Sequence, residues 1–156
     1  MHPWSAPRIA VEKELIKEYG LRNKKEIWKA ESKLLDIKRQ VKHIVAASTK
    51  QAEKEKTSLI SKLFRYNLIQ KDTKVEEILS LTIHNLLKRR LQTIVFEKKL
   101  THSPLQARQL ITHGHVFIEN RIVTIPSYFV TRDEEQKITL SPNIKIFEQE
   151  KKQSKK

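Results

Sequence analysis

Cysteine is absent from the sequence, and glycine occurs only twice, at Gly20 and Gly114. Without thiols there is no disulfide frame and no thiolate metal site, a pattern that fits a reducing compartment. So few glycines leave no Gly-rich loop to cradle phosphates, which removes the enzyme classes built on such loops. Apolar runs reach only a few residues, far short of a bilayer span, and no signal-peptide core follows Met1. The expectation is a soluble, intracellular-type chain with no membrane partner. Acidic residues are also in deficit, 18 against 32 Lys plus Arg, for a formal net charge of +14 in 156 residues. Folding does not call for that excess, since like charges repel. It is complementarity to a polyanion, strengthened by counterion release for each added Lys or Arg. Charge alone does not separate RNA from DNA or from an anionic membrane surface.

The length suits one ordinary domain or two small ones. Helical spacing runs from Pro7 to Tyr19, with Gly20 where a left-handed cap belongs. Asn23 and Glu26 form a capping-box pattern ahead of a helix whose seam is Ile27, Ala30, Leu34, Ile37, Val41 and Ile44. Packing of that seam against helices of the same chain is favoured over a coiled coil, and Trp28 is expected in the core. Lys50–Lys56 is polar, a loop or an exposed extension, after which Thr57 or Ser58 caps a short helix ending near Asn67. From Val75 the texture changes. Leu79, Leu81 and Ile83 alternate briefly, then Leu87, Leu91, Ile94 and Val95 share one face of a helix reaching about Lys99. Ser103, Pro104, Gln106 and Gly114 supply cap, first turn, capping box and stop for a second helix. Strands follow at His115–Ile118 and Arg121–Thr124 around Glu119–Asn120, with further short strands at Tyr128–Thr131, Lys137–Leu140 and Lys145–Phe147. The fold class is therefore α+β. It comprises a basic helical N-terminal domain (1–74), a helix–helix plus small antiparallel sheet module (75–148) and a basic disordered tail (149–156).

At 100° per residue, the helix from Ile83 turns Arg89, Gln92, Thr93 and Phe96 away from its buried side, with Arg90 at the edge. The next helix presents Arg108, Gln109 and Thr112, and His113 and His115 flank Gly114. On the long basic helix, Lys24, Lys25 and Arg39 lie off the apolar seam. Arginine for phosphate, with amide and hydroxyl groups for sugar or base edges, suits the shallow minor groove of an RNA helix. No long basic recognition helix of the DNA-reading type is evident. Any single arginine is more often a solvated charge, and Arg90 could equally pair with a carboxylate to hold the fold. The two histidines lack the further ligands that close a metal site, so hydrogen bonding to RNA or to the helix end is the better reading. No nucleophile–base–orienter set can be assembled.

The run Arg89 to Val130, "RRLQTIVFEKKLTHSPLQARQLITHGHVFIENRIVTIPSYFV", resembles the RNA-binding module of the ribosomal small-subunit protein four family. Similar αα-hairpin-plus-sheet modules occur in some pseudouridine synthases and tyrosyl-tRNA synthetases. Upstream, "HPW", "YGLRNKKEIWKAESKL" and "LFRYNLI" resemble the archaeal and eukaryotic branch of that family. Asn67 and Asn120 stand where the family usually has glycine, and the segment before His2 is shorter than the family pattern. The resemblance implies a primary binder of small-subunit ribosomal RNA, at a junction in the 5′ domain. It would act early in assembly and lie beside other small-subunit proteins near the channel through which mRNA enters, influencing decoding accuracy. It carries RNA contact onto Arg89, Arg90, Gln92, Thr93, Arg108, Gln109, His113, His115 and Tyr128. No cofactor, small-molecule substrate, enzymatic activity or obligate homo-oligomer is expected.

Overall fold

The computed structural model describes residues 5–47, 50–70 and 73–141. Helix α1 (Ala6–Tyr19) starts with Pro7 in its first turn and stops at Gly20, whose φ of 58° is the left-handed cap conformation. A Cβ on Gly20 would come within 2.7 Å of the Pro104 Cβ, so the turn after α1 is also pressed against a distant part of the chain. Helix α2 (Lys24–Ala46) opens with the Asn23 side chain accepting from Glu26 N. The Glu26 carboxylate returns a bond to Arg22 N, one residue further out than a standard capping box.

Helix α3 (Lys50–Arg65) is continuous. Lys50–Lys56 is its first half, and Thr57 lies inside it, donating to Glu53 O at 3.0 Å instead of capping a new helix. Asn67 then takes φ 54°. A 3-10 helix (Val75–Ser80) follows, and the brief alternation of Leu79, Leu81 and Ile83 runs from it into the next helix. Its Val75 and Ile78, with Leu81, join Val41, Ile44, Leu59 and Leu63 in one core. The apolar seam of α2 is thus buried by helices of its own chain. Trp28 is not in that core: it is 42% exposed, with its indole N–H donated to Glu12.

The expected single helix from Ile83 to Lys99 is two, α4 (Ile83–Lys88) and α5 (Leu91–Glu97), broken at Arg89–Arg90. Neither Gly nor Pro makes the break. An extended segment from the far side of the module does, by pairing with it. Leu91 N donates to Tyr128 O at 2.8 Å, Val130 N donates to Arg89 O at 3.1 Å, and Arg90 bridges Phe129. Amides at the start of α5 that a helix would leave without partners are satisfied in this way. Tyr128–Thr131, expected as a strand, contributes only that bridge.

Helix α6 (Pro104–Thr112) has the Ser103 hydroxyl accepting from Gln106 N and ends toward Gly114 at φ 74°. Strands β1 (Val116–Ile118), β2 (Arg121–Ile122) and β3 (Ile138–Leu140) form an antiparallel sheet in the order β2-β1-β3. A four-residue helix α7 (Arg132–Glu135) with a Thr131–Glu134 capping box precedes β3. Leu91, Ile94, Val95, Ala107, Ile111, Val116, Ile118, Val130 and Ile138 make the core of this half, with Phe96 packed against it. A third cluster, Leu15, Tyr19, Leu21, Ile27, Ala30 and Leu87, packs α4 against α1 and α2 just ahead of the break. The architecture is α+β. Trp4, Lys145–Phe147 and the basic tail lie outside the described residues.

Candidate nucleic-acid interface

The break between α4 and α5 decides where the polar residues of this stretch point. Arg89, Gln92 and Thr93, expected to face outward, are buried at 7%, 1% and 7% exposure, and Arg90, expected at the edge, at 4%. Each closes a gap between elements. The Thr93 hydroxyl donates to Leu87 O at 2.8 Å, satisfying a carbonyl at the end of α4. The Gln92 amide donates to Tyr19 O, Gly20 O and Pro104 O at 3.2, 2.8 and 2.9 Å, tying the end of α1 to the start of α6. Arg89 pairs with Glu135 at 2.8 Å and donates to Val130 O. Arg90 pairs with Glu26.

Arg108 leans inward as well, with Nη2 2.9 Å from Glu26 and Nη1 near the Gln92 carbonyl oxygen. One carboxylate therefore holds two guanidinium groups from the other half of the chain. Burial pushes the Glu26 carboxyl up, but the hydrogen bonds from Arg108 and Arg90 outweigh it and hold the group below the ordinary carboxylate range. A second knot lies on α1. Glu12 accepts from Trp28, Lys24 and Arg8, which together lower its pKa to about 2 against the cost of burial. Lys24 is thus engaged with Glu12, and Arg39 with Asp36 on its own helix.

The remaining expected site residues do meet solvent. Gln109, Thr112 and His113 are exposed along α6, and His115 is half-buried beyond Gly114, its ring 6.4 Å from that of His113. Hairpin β1–β2 folds over the same glycine, since a Cβ there would lie 3.4 Å from the Ile122 side chain. Arg121, the residue before Ile122, is exposed at the start of β2 on the same hairpin. Beside α6 the Glu26–Arg108 pair brings up the α1–α2 turn, where Arg22 and Lys25 are exposed. No Asp or Glu occurs from Lys98 to Ile118. Arg22 and Arg121 escaped the sequence reading because their nearness to α6 depends on contacts between distant segments. Tyr128 stands apart from this face. Its hydroxyl donates to Glu134 at 2.7 Å, and that bond raises its pKa to about 12.

A paired helix, a short antiparallel hairpin and a closing helical turn, with no acidic residue from Lys98 to Ile118, define a module of the S4 type. The family model of the S4 domain matches residues 89–135, from the helix break to the end of α7. Over nearly its full length the chain is similar to small ribosomal subunit protein uS4. It is 44% identical to that of Methanococcus aeolicus, over 91% of this chain and 81% of the relative. It is 42% identical to that of Ignicoccus hospitalis over 94% and 88%, and 43% identical to that of Thermoplasma volcanium over 93% and 74%. The chain belongs to the uS4 family, in its archaeal and eukaryotic branch.

Proposed function

We propose that the chain is a primary binder of small-subunit ribosomal RNA, engaging a folded junction of the 5′ domain through the outer face of α6. As a member of its family it is a structural ribosomal protein of the cytoplasm, not an enzyme, and serves in translation. The observation that carries the RNA reading is the exposure of Gln109, Thr112 and His113 in a stretch without acidic residues, with exposed Arg22, Lys25 and Arg121 on the α1–α2 turn and the hairpin. Amide, hydroxyl and imidazole groups suit 2′-hydroxyls and base edges, and the flanking cations suit phosphates. Early action in assembly and an influence on decoding from beside the mRNA channel, next to neighbouring small-subunit proteins, follow from family membership. The module itself would begin at the helix break, since the 3-10 helix packs with the N-terminal helices.

The buried arginines have a different part: they hold the two halves in register so that α6 and the α1–α2 turn offer one surface. Outward and inward cations should therefore behave differently on substitution. Replacing Lys25 and Arg121 with glutamine is expected to leave the melting temperature unchanged. It should reduce the dependence of log K on log salt by about one for each phosphate that is no longer neutralised. Arg89→Ala should act through stability with little change of slope. Filter binding to a small-subunit junction RNA across a salt series checks both, and an unaltered slope for the Lys25, Arg121 variant would sink the assignment. Co-sedimentation with small subunits through a high-salt gradient tests the ribosomal association itself.

A further inference from the structure

A second feature of the molecule is unrelated to the α6 face. A cleft of about 590 Å³ opens between α2, α3 and the segment running from Ser127 to Glu134. Its volume falls within the range of small-ligand pockets. Three aromatic rings line it: Tyr66 after α3, and Tyr128 and Phe129 opposite. Tyr66 meets Phe129 edge-on at 72°, with centroids 6.1 Å apart, and both rings are half-buried at the cleft wall. Lys33, Lys62 and Arg65 surround the rings, all three exposed. Lys62 and Arg65 form no ion pair among the described residues. Lys33 places its ammonium 4.4 Å from the Phe129 ring centroid.

Two carboxylates also border the cleft, and both are engaged. Asp36 pairs with Arg39, and Glu134 accepts from Tyr128 and from the Thr131 hydroxyl and backbone amide. Gln40 and Ser127 add an amide and a hydroxyl to the lining. Rings for stacking, cations for phosphates and a few neutral polar groups for a base edge are the elements that hold unpaired nucleotides. An acidic peptide would use the cations and leave the rings idle. A cation already resting on Phe129 marks that ring as open to a π-face partner, and the long Lys33 side chain can leave it for a phosphate.

We infer that this cleft is a second RNA site, taking one or two unpaired nucleotides that stack on Tyr66 and Phe129 while Lys33, Lys62 and Arg65 hold the flanking phosphates. The inference rests on the RNA-binding reading above but concerns a different surface and a different form of RNA. It gives the rings of the 127–130 segment a role that the buried arginines cannot supply.

The test uses the full chain, a uridine octanucleotide as the single-stranded probe, and a small-subunit junction RNA as the folded one. Ultraviolet crosslinking of the octanucleotide, followed by peptide mapping, should place adducts on Tyr66, Tyr128 or Phe129. Tyr66→Leu should weaken octanucleotide binding about tenfold, in line with the loss of one stacking platform. Lys62→Gln with Arg65→Gln should weaken it similarly and flatten its salt dependence. Those two residues are exposed, so this variant decides the matter even if Tyr66→Leu disturbs the fold. Substitution of Lys25 and Arg121 should leave octanucleotide affinity unchanged. Adducts confined to α6 or the hairpin, unchanged affinity in the Lys62, Arg65 variant, or equal binding of an oligoglutamate peptide would each overturn the cleft assignment. Failure of the primary reading is a separate result: no binding of the junction RNA and no co-sedimentation with the subunit.

Discussion

Glu26 sits where two arginines from the other half of the chain converge, its side chain 16% exposed and in contact with both Arg90 and Arg108. Removing its charge strands a nearly buried guanidinium, which is the expensive way to break such a cluster. Glu26→Gln is expected to cost roughly 2 kcal/mol of folding stability, measured by urea unfolding at neutral pH. The pH dependence has a definite sign. The Glu26 carboxyl titrates lower in the folded chain than in the unfolded one. Its contribution is therefore complete above the ordinary carboxylate range and is lost as pH falls through the lowered value. Glu12 behaves alike, its contribution fading between about 4.5 and about 2. The wild-type stability curve should accordingly fall more steeply with acid than that of Glu26→Gln, and parallel curves would contradict the cluster's role. The sequence shows that Arg90 could pair with a carboxylate to hold the fold, but not which carboxylate. Glu26 could be read only as a helix-start residue, because Arg90 and Arg108 lie 64 and 82 positions away.

Among the elements, those with local causes were legible. Gly20, Asn23, Ser103 and Gly114 mark their helix ends as the spacing predicts, since a cap is decided within four residues. The α4–α5 break was not legible. Leu87, Leu91, Ile94 and Val95 are buried as a continuous helix would bury them, yet the chain is pulled open between them by backbone partners near Tyr128. The surface assignment failed at the same place and for the same reason, because rotation of the second half turned Gln92 and Thr93 inward. The hairpin holds a smaller surprise. Asn120 was the residue expected to stand in for glycine, but the left-handed position is Glu119, at φ 57°. A non-glycine side chain there costs on the order of 1 kcal/mol. The exposed ion pair it makes with Lys137 returns little of that. Glu119→Gly should thus stabilise the chain by about 0.5 kcal/mol, seen as a rise in thermal midpoint. A fall would show that the pair matters more than the backbone.

At the scale of the whole molecule, a helical half and a mixed half share a joint instead of a linker. Leu87, fully buried, packs into the cluster of Leu15, Tyr19, Leu21, Ile27 and Ala30 on α1 and α2, while its neighbours across the break build the other core. Leu87→Ala removes side-chain volume from the packing of α4 on α1 and α2, next to that joint, and is expected to cost about 3 kcal/mol. Calorimetry should show one transition moved to lower temperature; two resolved transitions would mean that the halves unfold separately. The excess of positive charge was the most visible property of the sequence. It divides into an inward set that fastens the joint and an outward set available to phosphates, a division set by distant carboxylates and carbonyls.

The amide of Gln92 also imposes an order in time. Synthesis delivers α1 and its closing turn before α5, and leaves the carbonyls of Tyr19 and Gly20 waiting while more than seventy further residues are made. Water must serve those oxygens until Gln92 arrives, and Pro104 must follow before the turn is enclosed. Contacts with α2 can seat α1 early, but its closing turn is enclosed only when α5 and the start of α6 arrive. A chain interrupted before Gln92 has its N-terminal helices without the residue that locks them in place.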